Sequence, residues 1–237
     1  MEKIGIIGAM EEEVAFLKSI IKEKKQKNSG GLEFVFGKIG KNEVIVVQSG
    51  IGKVNAALCA QRLALEFGAT KIINTGIAGA LKSGLGILDF VASVDCVQHD
   101  FDVTGFGYEP TVIPRMKKSA FVADENLRKA AILAFEELSQ NEQFKGHKIL
   151  EGRIASGDQF ISSREKKEKI AKICAPACVE MEGAAIAQAC FLNDVPFLVL
   201  RCMSDMADNG EESSYKFNDK IAAEMSAKIV QKMLEKI

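Results

Sequence analysis

The stretch KIGIIGA, residues 3–9, and the segment EEEVAFLKSIIKEKKQK, residues 11–27, decide the fold class. The first is short, rich in isoleucine and ends in small residues, which is typical of a buried strand. The second carries Val14, Leu17 and Ile21 at helical spacing, with acids at its front and lysines at its back, as the helix dipole favours. A buried strand that leads directly into an amphipathic helix indicates an α/β protein.

The same alternation continues along the chain, and no Pro- or Ser-rich linker interrupts it. We predict a hairpin over 32–50 and further strands at 71–76, 89–100, 147–156, 177–182 and 196–204. We predict helices at 54–67, 123–138, 163–174, 183–193 and 216–237, and a polar, glycine-bearing loop at 101–115. The pattern therefore indicates one α/β domain over residues 1–237, with a largely parallel or mixed sheet under helices.

Composition narrows the class of protein and of ligand. Lys plus Arg (31) and Asp plus Glu (32) nearly cancel, so no overall field would attract nucleic acid or a membrane surface. Six cysteines lie in apolar surroundings and the chain has two histidines, so we expect buried thiols in a reducing cytosol and no metal site. The N-terminus does not resemble a signal peptide and no apolar run could span a bilayer, so we expect a cytoplasmic protein that binds a small molecule.

The candidate site lies at the strand ends, because open α/β sheets bind ligands beyond the carboxyl ends of their strands. These ends combine glycines, which let a backbone approach a ligand, with carboxylates, which supply acid, base or hydroxyl-binding groups. They read GAMEEE (8–13), QSGIGK (48–53), NTGIAGAL (74–81), QHDFDVTGFGY (98–108), SGDQFISS (156–163), VEMEG (179–183) and RCMSDMAD (201–208).

Several of these segments have a purely structural interpretation. GIGK lacks the flanking residues of a phosphate-binding P-loop and is predicted to be a tight strand-to-helix turn, and GIIGAM is not a dinucleotide-binding G-x-G-x-x-G motif. Glu11, Glu12 and Glu13 are each consistent with acids that a helix N-terminus favours. His99 is expected to be a core histidine.

Charged residues around the buried strand at 196–204 are harder to explain by packing. Arg201 and Asp205 lie at its end, and a salt bridge from Arg201 to Glu180 or Glu182 is as consistent with the sequence as a functional role. Glu180 and Glu182 are two residues apart on a predicted extended segment, so we expect both to point to the same side, towards the strand-end cleft.

Taken in order, the seven motifs resemble the 5′-methylthioadenosine/S-adenosylhomocysteine nucleosidases of the nucleoside phosphorylase superfamily, from residue 3 to the C-terminus. The resemblance implies a three-layer α/β/α sandwich around a central mixed, largely parallel sheet, as in purine nucleoside phosphorylases, and a homodimer. It implies hydrolysis of the N-glycosidic bond of adenine thionucleosides to adenine and a 5-thioribose product, with no cofactor. That reaction needs a protonated leaving base, a stabilised oxocarbenium-like sugar and a positioned water.

The resemblance also assigns roles to individual residues. Glu13 matches the glutamate that activates water, and Asp205 matches the aspartate that donates a proton to the adenine ring. Met181 and Glu182 match the pair at the sugar, where Glu182 accepts hydrogen bonds from the ribose hydroxyls. Further site residues fall into four groups: Arg201 and Ser204 in the polar cluster; Phe160, Ile161 and Gly79 at the base; Met10, Ile51 and Tyr215 at the 5′ substituent; and Val103, Phe106 and Tyr108 contributed by a partner subunit. Glu180 is also a candidate site residue, and its role stays open between orienting Arg201 or Glu182 and balancing charge.

Alternative functions follow from the same residues. A phosphorylase would need a basic cradle for phosphate, whereas GAMEEE is acidic, so hydrolysis is favoured. A non-catalytic nucleoside-binding module is disfavoured because Glu13 and Asp205 are both present. Gln98 and Gln159 resemble a branch that also accepts 6-amino-6-deoxyfutalosine, and Ile77 stands where many relatives have serine. The preference among methylthioadenosine, S-adenosylhomocysteine, 5′-deoxyadenosine and aminodeoxyfutalosine, and the pathway served, for example methionine salvage, stay open.

Overall fold

The strand β1 (Lys3–Gly8) lies in a ten-stranded mixed sheet of the computed structural model, which describes residues 2–207 and 212–237, with the backbone alone for 212–217. Its isoleucines, Ile4, Ile6 and Ile7, are buried, as a central strand requires. It pairs in parallel with β4 (Asn42–Gln48) and with β5 (Lys71–Ala80). The predicted strand at 3–9 is therefore confirmed.

The sheet closes on itself beyond β5. Strand β10 (Phe197–Asp205) runs parallel to β5 and antiparallel to β6 (Phe90–Gln98). Strand β8 (Ile149–Ser156) joins β6 to the short β9 (Cys178–Glu180), and β9 returns to β5 through the pairs Gly79–Val179 and Ala80–Cys178. The two-residue β7 (Phe121–Val122) pairs with β6. The ring of β5, β10, β6, β8 and β9 brings Gly79 beside the Glu180 segment, where the candidate site lies.

Helices cover the two faces of the sheet. The structure contains α1 (Glu11–Ile20), α2 (Lys53–Leu65), α3 (Glu125–Leu138), α4 (Arg164–Cys174), α5 (Gly183–Leu192) and α6 (Glu212–Met233). α2 and α5 pack together on one face, while α1 and α3 pack against α6 on the other. Mixed pairing between two helical layers confirms the predicted α/β/α class.

The prediction of one helix over 11–27 is wrong beyond Ile20. Residues Lys22–Ser29 form β2, an exposed strand antiparallel to β3 (Leu32–Ile39), and β3 pairs in turn with β4 as the predicted hairpin. The physical reason is that no apolar residue follows Ile21 until Leu32, so a longer helix would have had no face to bury. The backbone of this segment instead hydrogen-bonds along β3.

The six cysteines are free and buried, as expected. Burial raises the pKa of Cys59 to about 12 and that of Cys174 to about 11, so these thiols are protonated packing groups. In the parts of the chain that the structure describes, no helix is both long and apolar enough to cross a membrane.

Candidate active site

A cleft lies where β1, β5, β9 and β10 end, and its space of about 500 Å³ includes the solvent at its open mouth. Ten of the site residues predicted from sequence line it: Met10, Glu13, Ile51, Gly79, Phe160, Glu180, Met181, Glu182, Ser204 and Asp205. Ala9, Ile77, Ala78 and Val179 complete the wall. The fold thus brings residues from six of the seven motifs into one cavity, and only QHDFDVTGFGY (98–108) contributes none to it.

Glu13 is buried in the first turn of α1 and its carboxylate is fixed by three backbone donors. Oε2 accepts hydrogen bonds from the amides of Ala9 (2.6 Å) and Met10 (3.1 Å), and Oε1 accepts one from Ile77 (3.0 Å). Burial raises the pKa of Glu13, an effect that the positive charge of Arg201 opposes. Glu11 and Glu12 are exposed, so the helix-dipole interpretation suits those two, whereas Glu13 faces the cleft.

Gly76 makes the space that this carboxylate occupies, a feature that sequence reasoning missed. A Cβ at position 76 would lie 2.8 Å from Cδ of Glu13, still closer to its Oε1, and 3.0 Å from Nη1 of Arg201. The only sequence signal was a glycine inside an apolar strand, which indicates close approach of another group.

Arg201 is almost completely buried beneath the cleft, at 1% exposure, and is surrounded by acids. Its Nη2 donates to the carboxylate of Glu180 and to Oδ1 of Asn74 (2.6 Å), and lies 3.9 Å from Oε2 of Glu182. Burial would lower the pKa of Arg201, but the charges of Glu180, Glu13 and Glu182 raise it, so the guanidinium stays charged. The predicted salt bridge is confirmed, with Glu180 as the direct partner.

Glu180 and Glu182 both face Arg201, although the extended segment is shorter than predicted. β9 ends at Glu180, and Glu182 is already the N-cap residue of α5, with φ −133° and ψ −40°. Oε1 of Glu182 accepts a hydrogen bond from the amide of Gly52 (2.8 Å) at the start of α2. Burial and the neighbouring charge of Glu180 raise the pKa of Glu182, and Arg201 and the Gly52 amide oppose that shift.

Asp205 is partly exposed at the end of β10, on the wall of the cleft. Its Oδ1 accepts a hydrogen bond from the amide of Ala207 (2.7 Å), and its Oδ2 accepts one from the hydroxyl of Ser204 (2.9 Å). A Cβ on Gly79 would fall 2.9 Å from Oδ1 of Asp205, so this glycine leaves room for the carboxylate. These two hydrogen bonds hold the Asp205 carboxylate at the cleft, where a bound ligand could contact it.

Apolar side chains frame the opening. Phe160 (55% exposed) and Ile51 (54% exposed) present large surfaces to the cleft, and Met10 is half-buried beside them. Ile161 does not line the cleft; its side chain is buried with Val97, Ala155 and Ile170. The side chain of Tyr215 lies outside the described residues.

The loop after β6 carries the three residues expected to reach a partner subunit. Val103, Phe106 and Tyr108 lie around the 3-10 turn Thr104–Phe106 and do not line this chain's own cleft. Phe106 is 85% exposed, an unusual state for a phenylalanine.

The other residues that the sequence singled out mostly lie outside the wall of the cleft. GIGK forms the tight turn between β4 and α2, with positive φ at Gly50 and Gly52. His99 is buried at the end of β6, and its Nε2 has no hydrogen-bond partner among the described residues. Gln98 donates to Gln188 and accepts from Lys53, while Gln159 lines a separate surface cavity. Among residues 2–207 and 212–237, no group of His, Cys, Asp and Glu is arranged to hold a metal ion.

Comparison with known proteins places these features in a family. The sequence model of the phosphorylase superfamily matches residues 3–235. A 5′-methylthioadenosine/S-adenosylhomocysteine nucleosidase of Staphylococcus epidermidis is 41% identical over 236 residues, which cover 99% of this chain and 100% of that protein.

Two solved structures are similar along the whole fold. A 5′-methylthioadenosine/S-adenosylhomocysteine nucleosidase of Colwellia psychrerythraea, solved in complex with adenine, superposes with a TM-score of 0.93 at 39% identity, covering 99% of this chain and 95% of that one. A futalosine hydrolase of Helicobacter pylori superposes with a TM-score of 0.90 at 34% identity, covering 100% of this chain and 98% of that one.

Proposed function

The chain belongs to the 5′-methylthioadenosine/S-adenosylhomocysteine nucleosidases of the phosphorylase superfamily, and on this premise we propose that it hydrolyses the N-glycosidic bond of both nucleosides, and of 5′-deoxyadenosine, to release adenine. The observation that carries the proposal is the meeting of Glu13, Glu182 and Asp205 in one cleft beside the exposed ring of Phe160. The buried Glu13 and the partly exposed Asp205 have different environments, as suits a base that takes a proton from water and an acid that gives one to adenine.

In this proposal, Glu13 removes a proton from the attacking water and Asp205 protonates a ring nitrogen of the departing adenine. The bond between the anomeric carbon and the base breaks, the water oxygen bonds to that carbon, and the adenine keeps the proton from Asp205. The raised pKa of Glu13 makes it a better base than an exposed glutamate, and its three backbone donors hold it in place. The partly exposed Asp205 can exchange its proton with solvent between turnovers.

The sugar and the base contact the remaining wall of the cleft. Glu182 accepts hydrogen bonds from the ribose hydroxyls, and its charge favours the positive charge that develops on the ring. Met181 packs against the sugar, Phe160 stacks on adenine, and the backbone at Ile161 reads the edge of the base. Met10, Ile51 and Tyr215 contact the 5′ substituent.

The electrostatics of the cleft support water rather than phosphate as the nucleophile. The segment beside β1 presents Glu11, Glu12 and Glu13, and the nearest cation, Arg201, is already paired with Glu180 and lies beneath the cleft wall. A phosphate dianion would meet negative charge here, and none of the described residues that line the cleft is a lysine or an arginine.

The decisive experiment measures adenine release from methylthioadenosine in buffer free of phosphate. We expect full turnover without phosphate and no stimulation when phosphate is added. Adenine release that depends on phosphate would overturn the proposal in favour of a phosphorylase, and tight binding without adenine release would indicate a binding module.

A second candidate substrate, 6-amino-6-deoxyfutalosine, is favoured by the likeness to the Helicobacter pylori futalosine hydrolase. The bond broken is the same, so the two activities differ only in what the 5′ pocket accepts. Values of kcat/KM for methylthioadenosine, S-adenosylhomocysteine, 5′-deoxyadenosine and aminodeoxyfutalosine, measured side by side, rank them and indicate whether methionine salvage or another pathway is served.

We further propose that the enzyme works as a homodimer in the cytoplasm. Phe106 and three apolar side chains of α2, Val54, Leu58 and Leu65, are exposed, and a second copy would cover them. Within such a dimer Val103, Phe106 and Tyr108 complete the partner's 5′ pocket. Light scattering should give twice the mass of one chain for the wild type, and Leu58→Glu should reduce both this mass and the activity.

A further inference from the structure

The start of α5 has an unusual capping arrangement. Glu182 is the N-cap residue, and an acidic residue there ordinarily accepts a hydrogen bond from an amide two or three residues later in its own helix. Its side chain makes no such bond. Its carboxylate instead accepts from the amide of Gly52, the residue before α2, and lies near Arg201 on the wall of the cleft.

Two residues at the ends of neighbouring strands accept hydrogen bonds from the backbone amides at the start of α5, with which the side chain of Glu182 makes no bond. Glu180, the last residue of β9, accepts from the amide of Glu182 (3.1 Å) and, with both oxygens, from the amide of Gly183 (3.0 and 2.8 Å). Ser156, the last residue of β8, accepts from the amide of Ala184 (2.7 Å) and donates its hydroxyl proton to Glu180. The first amides of α5 are thus capped from outside the helix.

Both capping residues are well buried and mutually fixed. Ser156 is fully buried and Glu180 is 7% exposed, so neither group can exchange its partners for water at low cost. Glu180 is held on its other side by Arg201. The cap is therefore a rigid part of the sheet edge and not a mobile side chain of the helix.

We propose that Ser156 and Glu180 are positioning residues which, by capping α5, release the carboxylate of Glu182 for the ribose hydroxyls. The inference rests on the proposed function, because it takes Glu182 to be the ribose-binding group. Without the external cap, the amides at the start of α5 would be buried and unpaired, and the Glu182 carboxylate is the acceptor closest in sequence. It would turn back onto its own helix and leave the sugar.

The test uses Ser156→Ala with Ser93→Ala as its matched control. Ser93 is also fully buried on a strand and also accepts from a backbone amide, but that amide belongs to Val199 of β10 (3.0 Å) and not to the start of α5. Both variants lose one buried acceptor, so both should be less stable. Only Ser156→Ala should lose the preference for methylthioadenosine over its 3′-deoxy analogue, by about 10-fold to 100-fold in the ratio of kcat/KM values.

Combination with Glu182→Gln separates a positioning role from general destabilisation. If Ser156 acts through Glu182, Ser156→Ala should cost little once Glu182 is already changed, so the two effects should be strongly non-additive. Where Ser156→Ala does not fold, Ser156→Cys keeps the shape of the side chain but replaces the hydroxyl by a thiol, which accepts hydrogen bonds only weakly, so a smaller loss of the same ribose preference is expected.

The outcomes are distinguishable. A wild-type protein that releases no adenine overturns the proposed function itself. A wild type that does release adenine, together with a Ser156→Ala or Ser156→Cys variant that keeps the ribose preference or whose effect simply multiplies with that of Glu182→Gln, overturns the positioning role alone.

Discussion

Replacement of Gly76 by alanine tests the geometry around Glu13. The added methyl would lie 2.8 Å from Cδ of Glu13, whereas carbon atoms in contact prefer about 3.5–4.0 Å, so the carboxyl group must retreat by about 1 Å. The hydrogen bonds from Ala9, Met10 and Ile77 hold that group, and a shift of this size breaks or bends them.

A misplacement of about 1 Å in a catalytic group costs about 100-fold in rate, and overpacking costs about 1–3 kcal/mol in the free energy of unfolding. We therefore expect Gly76→Ala to lower kcat for adenine release by about that factor. The change in KM should be smaller, because neither Glu182 nor Phe160, which we propose to contact the nucleoside, is among the nearest atoms that the added methyl would meet.

Initial rates of adenine release and thermal unfolding are measured on the same preparations. Gly86→Ala is the matched control, because a Cβ there would have its nearest neighbour at 3.7 Å, on Asp89, and the residue lies outside the cleft. A folded Gly76→Ala protein with kcat near that of the wild type would refute the assignment of Glu13 to the water.

Further predictions concern the charged groups of the cleft. Asp205→Asn should lower kcat by about 10²–10⁴-fold while calorimetry shows binding of methylthioadenosine largely retained; near-normal turnover would contradict its role as the acid. Glu182→Gln should both raise KM and lower kcat, since the ribose contact exists in the ground state and strengthens in the transition state. Arg201→Ala leaves buried carboxylates uncompensated and should lower the free energy of unfolding by about 3–5 kcal/mol in denaturant titrations; an unchanged midpoint would refute this. Burial raises the pKa of Glu13 and the base must be ionised, so the midpoint of the acidic limb of kcat/KM against pH should lie above 4.5, the ordinary pKa of a glutamate. Glu13→Gln should abolish most of the activity over the whole pH range.

The residues at the strand ends could be predicted well, because a short apolar run followed by glycines and polar residues identifies the end of a buried strand. An arginine and an aspartate near the end of an apolar strand are hard to explain by packing; Asp205 indeed lines the cleft, and Arg201 lies buried beneath it. Order along the chain, rather than any single motif, identified the family.

Positions that depend on contacts between distant segments were beyond sequence reasoning. The lysine-rich stretch after Ile21 has high helix propensity, yet pairing with β3 makes it a strand. Ser156 and Gly76 belong to the motifs SGDQFISS and NTGIAGAL, but their roles could not be predicted, because these arise only where Ala184 and Glu13 come close to them in three dimensions.

The exposed strand β2 has a consequence for how the protein behaves at high concentration. The sheet closes into a ring at one end, and β2 lies at the other end of the strand order, with backbone groups that could pair with a second chain. Lys22, Lys24 and Lys25 place positive charge along β2, where Lys27 is paired with Glu66, so two copies brought edge to edge should repel each other. We therefore expect the lysines of β2 to protect the protein from aggregation. Neutralisation of these lysines, for example by acetylation, should favour fibrous assembly over the soluble state.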